Sequence, residues 1–113
     1  MTAPIAQVDV EAEILRLSSL AERVTHELAK RARAAAEADV AYKVEHAKAL
    51  LMAEGPQYVR DAEATVACEA ELTEKRTTEA LLLAAQEAGR NYRAQLDSLR
   101  SINANIRSQV VGS

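Results

Sequence analysis

Tryptophan and phenylalanine are missing from this 113-residue chain, and tyrosine occurs only three times. A compact globular core draws heavily on aromatic side chains for buried area, so this composition does not build a dense globule. Glycine and proline are nearly as scarce, at three and two residues. They fall at Pro4, Gly55, Pro56, Gly89 and Gly112, which leaves two long stretches with no helix breaker except Gly89. Cys68 is the sole cysteine, so no internal disulfide forms; it reads as a small buried apolar residue. No apolar run approaches the roughly 20 residues that cross a bilayer. The opening MTAPIAQVDVEAE has neither a basic start nor an apolar run, so no signal peptide is expected. Together these absences predict a cytoplasmic protein without membrane contact.

What is present is helix-forming. About a fifth of the chain is alanine, 27% is charged and 49% hydrophobic, the mixture of long helices and coiled coils. We read a lead-in over 1–8, one domain over 9–110 and a tail over 111–113. The domain divides into a helix over 9–54, a turn over 55–58 and a second helix over 59–108. Asp9 is placed to cap the first helix, with Glu11 and Glu13 favouring its dipole. Its apolar stripe is Val10, Ile14, Leu17, Ala21, Val24, Leu28, Ala35, Ala38, Tyr42, Ala49 and Met52, in steps of three and four, with Arg31 interrupting. Val40, Val44, Ala47 and Leu51 open a second apolar line. Gly55-Pro56 ends the helix, because glycine accepts a positive φ and proline cannot continue the ladder. The second stripe runs Val59, Val66, Ala70, Thr77, Leu81, Ala85, Ala88, Tyr92, Leu96, Leu99, Ile102, Ile106 and Val110.

A turn this short makes the helices antiparallel neighbours. The fold class is therefore all-α, a coiled-coil-like helical hairpin. Counting equally from the turn puts Leu28 near Leu83, Ile14 near Leu96, Val10 near Leu99 to Ile102, and Tyr42 near Glu69. Apolar residues remain unused: Leu20, Val40, Val44, Leu50, Leu51, Leu72, Leu82 and Leu83. A thin core needs support from a metal, a disulfide or association. Association is the one with sequence support, so a homo-oligomer forming a four-helix or larger bundle is expected. Its core residues are Ile14, Leu17, Val24, Leu28, Tyr42, Leu81, Tyr92, Leu96, Leu99, Ile102 and Ile106.

Chemistry-bearing constellations are sparse. A di-metal carboxylate bundle needs Glu three residues before His; His26 has Arg23 there and His46 has Lys43. There is no phosphate-cradling glycine loop and no nucleophile with a base. We expect no enzyme, no cofactor and no metal site. Charge is more patterned. Arg16, Arg23 and Lys30 are seven apart, as are Arg93, Arg100 and Arg107, while acidic residues crowd the turn. Counting therefore predicts a basic terminal end and an acidic turn end. Heptad-spaced arginines serve either as cross-helix pairs or as contacts to nucleic-acid phosphates or an acidic partner. Asn103, one step from Ile102, is a candidate register-fixing core polar residue.

The stretches AYKVEHAKALLMAEG, YVRDAEATVACEAE and YRAQLDSLRSINANIRSQ together resemble small alanine-rich helical-hairpin proteins encoded by tailed bacteriophages and prophages, often near replication and recombination genes. The resemblance covers about residues 37 to 109. It implies a phage setting, a bacterial host cytoplasm and a non-enzymatic role; it transfers no catalytic residue. A second hairpin family, the small secreted effectors of actinobacterial type VII export, carries Trp-x-Gly in the turn and Tyr-x-x-x-Asp/Glu after the second helix. Here the turn reads AEGPQY, and Tyr92 is followed four places later by Leu96, with Asp97 one place late. The chain departs from that pattern. The expected function is an oligomeric interaction or scaffold protein that binds a host or phage protein. The alternative is a nucleic-acid accessory of replication or recombination, acting through the two basic lines.

Overall fold

The structure, a computed structural model, describes residues 7–111, with side chains described through Gln109. Most of the expected lead-in and tail, Pro4, Gly112 and the Val110 side chain lie outside the described residues. Three helices follow one another: α1 (Gln7–Met52), α2 (Gln57–Ala67) and α3 (Glu69–Val111). Among the described residues there is no strand, and the long helices pack as a hairpin. The antiparallel sense is carried by cross-helix pairs whose numbers run oppositely: Glu11 with Arg107, Asp39 with Lys75, and His46 with Thr65.

Helix α1 starts two residues before the expected cap. Asp9 therefore lies in the first turn rather than capping it. It still faces the positive end of the helix dipole. Gln7 donates a hydrogen bond from Nε2 to Glu11 Oε1 at 3.1 Å, one turn on, which supports the earlier start.

The turn works as its residues dictate. Gly55 has φ +107°, past a helix whose last ladder bond runs from Ala53 N to Ala49 O at 3.0 Å. Pro56 is the N-cap of α2, and its carbonyl accepts from the Val59 and Arg60 amides, both at 3.0 Å. Arg60 reaches back across the turn, donating from Nη2 to Leu50 O at 3.1 Å. One of the orphan carbonyls at the end of α1 is thereby satisfied from the next helix. A Cβ at position 55 would make only ordinary contact with Val59 at 3.8 Å. Gly55→Ala is therefore expected to cost its backbone strain alone, about 1–2 kcal/mol, read as a lower urea midpoint.

The second half is not one helix. Cys68, with φ −105° and ψ 25°, separates α2 from α3. Its amide is shared between Ala64 O (3.1 Å) and Thr65 O (3.2 Å), and the Leu72 amide donates to Cys68 O at 2.9 Å. The Thr65 hydroxyl donates to Asp61 O at 2.9 Å just upstream, back-bonding of the kind that bends helices.

The chain forms two compact units: Met1–Glu27 with Gln86–Ser113, and Leu28–Ala85. In the terminal unit the seam is largely aliphatic. Val10, Leu17, Gly89 and Leu96 are buried, and Ile14, Val24, Leu99 and Ile106 half-buried. In the turn unit the seam is small and polar. It comprises Leu28, Arg31, Ala35, Ala38, Tyr42, Glu45 and Ala49 on α1, against Ala64, Cys68, Glu71, Lys75, Thr78, Leu82 and Ala85.

Candidate interaction surfaces

The seam steps in strict threes and fours from Ala64 to Ile106, and this register corrects the sequence reading of the second stripe. Val66, Ala70, Thr77 and Leu81 are exposed, while Ala64, Cys68, Thr78 and Leu82 turn inward. Leu81 is thus outside the intrachain core. The cause is that Glu71, Lys75 and Thr78 occupy seam positions, so the apolar beat reads one residue off. Near the C-terminal end the same shift recurs. Asn103 takes the seam position expected for Ile102, and Ile102 is exposed. The remaining expected core residues are buried (Leu17, Leu96) or half-buried (Ile14, Val24, Leu28, Tyr42, Tyr92, Leu99, Ile106).

Cross-helix partners in the terminal unit also differ from equal counting. Ile14 shares a groove with Asn103 rather than facing Leu96, and Glu11 pairs with Arg107. In the turn unit, Leu83 is exposed, and Leu82 takes the seam position beside it. Equal counting treats both arms alike, whereas the Cys68 interruption lies on one arm only.

The six candidate basic residues are all exposed and differ in engagement. Arg16 forks onto Glu13 one turn back, and that hydrogen bond holds the Glu13 carboxyl below the usual carboxylate range. Arg93 donates from Nε to Gly89 O at 3.3 Å. Arg100 lies 3.9 Å from Asp97, and Arg107 donates to Glu11 Oε1 at 3.1 Å across the hairpin. Arg23 and Lys30 project into solvent. The terminal unit carries six basic against seven acidic residues, and the turn unit eight against ten. The expected basic terminal end is therefore corrected: neither unit has the net positive field that a phosphate-binding surface uses.

Beside Asn103 a groove of about 360 Å³ is lined by Glu11, Ile14, Leu15, Asn103 and Arg107. Asn103 is 9% exposed, and its Oδ1 has no hydrogen-bond partner.

In the turn unit, polar groups tie the helices. Lys75 on α3 contacts Asp39 on α1 at 3.6 Å and Glu79 on its own helix at 2.7 Å. Its long stem lies in the seam while its ammonium reaches the rim. The Glu79 hydrogen bond raises the Lys75 ammonium above its ordinary value and lowers Glu79 in turn. Asp39 is held below the usual carboxylate range by Lys43, with Lys75 assisting. Thr78 is buried and returns its hydroxyl hydrogen bond to Glu74 O at 2.9 Å. Cys68 is buried, and burial pushes its thiol up.

The outer face of α1 in this unit has a different character. Ala29, Ala32, Ala36, Val40, Val44, Ala47 and Leu51 form an exposed apolar line on the side of the helix away from the seam. Val40 is 59% exposed and Leu51 83%. A groove of about 410 Å³ on this line is walled by Ala36, Glu37, Val40 and Ala41. The sequence had shown its second half, Val40 to Leu51; the alanines before it continue the same row.

Among the described residues no cluster of three or more His, Cys, Asp or Glu is arranged to hold a metal. His26 is exposed; His46 lies against Tyr42, ring centroids 5.4 Å apart, with Thr65 Oγ1 3.4 Å from its Nε2. No helix among the described residues is long and apolar enough to cross a membrane. Compared with protein-family models, curated proteins and solved structures, the chain shows no significant match.

Proposed function

We propose that this chain is a non-enzymatic interaction protein that self-associates and, as an oligomer, acts as a scaffold for another protein. The observation that carries this reading is the exposed apolar line on the outer face of α1. Isolated surface aliphatics need no explanation, but a contiguous row does. Covering it returns about 25 cal/mol for each Å² removed from water, a gain that the thin, alanine-rich seam of the turn unit does not supply by itself. In the phage setting implied by the resemblance, the further partner is a host or phage protein.

Light scattering tests the reading. The expected mass is a multiple of 12.2 kDa, and Val44→Glu combined with Leu51→Glu moves it toward one chain. A single-chain mass at all concentrations up to about the millimolar range overturns it, since apolar interfaces of specific size hold at micromolar levels. Raising salt leaves the apolar association intact. Retention of DNA or RNA at low salt, lost steeply as salt rises, instead supports the nucleic-acid alternative.

A further inference from the structure

Resting on that self-association reading, we propose that the outer line of α1 is covered by the same line of a second copy, antiparallel about a two-fold axis at Val40. The argument lies in the order of side-chain sizes. The line is small at its N-terminal end, at Ala29, Ala32 and Ala36, and carries its large residues at the other, at Val44 and Leu51 with Ala47 between them. Its spacing is nearly symmetric about Val40: Ala36 and Val44 are four residues away on either side, Ala29 and Leu51 eleven, and Ala32 and Ala47 eight and seven.

Two helices pack well when the gap between them is filled evenly along its length. Parallel pairing puts alanine against alanine at one end and leucine against leucine at the other, which splays the helices. Antiparallel pairing sets Ala29 against Leu51 of the second copy, Ala36 against Val44, and Val40 against Val40. Those layers each hold one small and one large side chain, or two of middle size; the Ala32–Ala47 layer is small on both sides, so the interaxial distance varies less along the contact than in the parallel pairing. A two-fold contact is self-complementary by construction: each pairing away from the axis occurs twice.

Two of the flanking cations are already paired. Lys43 and Lys48 each carry a carboxylate within their own helix, Asp39 at 2.9 Å and Glu45 at 3.2 Å. They enter the contact as ion pairs rather than bare cations. The alanines carry no side-chain rotamer freedom to lose on burial.

Position 40 gives the test, because only a residue on the axis meets its own copy. Val40→Cys, Leu51→Cys and Leu15→Cys are each made in a Cys68→Ser background, with Cys68→Ala as a second background checked for helicity. Each is treated with a short bis-maleimide. Val40→Cys is expected to give about tenfold more linked dimer than Leu15→Cys, since a preformed pair holds its thiols at an effective concentration far above bulk. Leu51→Cys alone links poorly, but links to Ala29→Cys when the two chains are mixed. Strong self-linkage of Leu51→Cys means parallel pairing and overturns the proposal. An oligomeric protein whose Val40→Cys links no better than Leu15→Cys also overturns it, and leaves self-association through another face standing. A monomeric mass throughout removes both readings.

Discussion

Replacing Leu17 with alanine is expected to cost about 3 kcal/mol, lowering the melting temperature by roughly 10 to 20 °C. Leu17 is 2% exposed, the largest fully buried side chain among the described residues, and lies in the aliphatic seam of the terminal unit. Removing its isobutyl group loses transfer free energy and leaves a void between two helices held on one face only. Leu99, which shares a groove with Leu17, cannot fill a cavity there without moving helix backbone. Leu15, two residues earlier, is 72% exposed, so Leu15→Ala should stay within about 0.5 kcal/mol when the protein is dilute enough to be monomeric. Equal losses in urea denaturation for the two variants would contradict the seam assignment. Because the two units have unlike seams, the Leu17→Ala transition is best followed with two probes, since local loss in one unit breaks coincidence.

Asn103→Leu is expected to act in the opposite direction. A buried polar atom without a partner carries its desolvation cost, about 1–3 kcal/mol, and Asn103 Oδ1 is such an atom. A leucine at this seam position continues the row of Leu96, Leu99 and Ile106, and should raise stability by about 1–2 kcal/mol, overpacking taking part of the gain. The second consequence concerns uniqueness. A lone seam asparagine penalises registers that bury it against hydrocarbon. Its loss should yield a more stable chain with a less uniform state, read as extra amide peaks by NMR or as a mixture of masses. A lower urea midpoint for Asn103→Leu would mean that the oxygen holds a donor in solution, and would end this account.

Residues whose chemistry has a single structural use were readable in the chain beforehand. Gly55-Pro56 announced the turn, and the steps from Val10 to Leu28 announced the α1 seam. In the second half the same method slipped by one position. Glu71, Lys75 and Thr78 are polar, so a hydrophobic beat passes over them, yet the Lys75 ammonium and the Thr78 hydroxyl find partners that let those two sit inward. The slip at Ile102 and Asn103 has the same origin. The break at Cys68 carries no glycine or proline to mark it; the signal available was Thr65, a hydroxyl able to bond back one turn. The arginine lines were visible, but their surroundings were not: Glu11, reached across the hairpin by Arg107, belongs to the other end of the sequence. The α1 outer line was half visible because its alanine portion looked like mere helix-forming filler.

The interruption at Cys68 also makes the chain its own stopwatch. The thiol is buried and held protonated, so a thiol-specific reagent in neutral buffer reacts only after the turn unit opens locally. When reclosing is fast, the labelling rate reports the population of opened molecules; when reagent is in large excess, it reports the opening rate itself. The native chain therefore supplies, without any substitution, a kinetic measure of how often its small, polar seam comes apart.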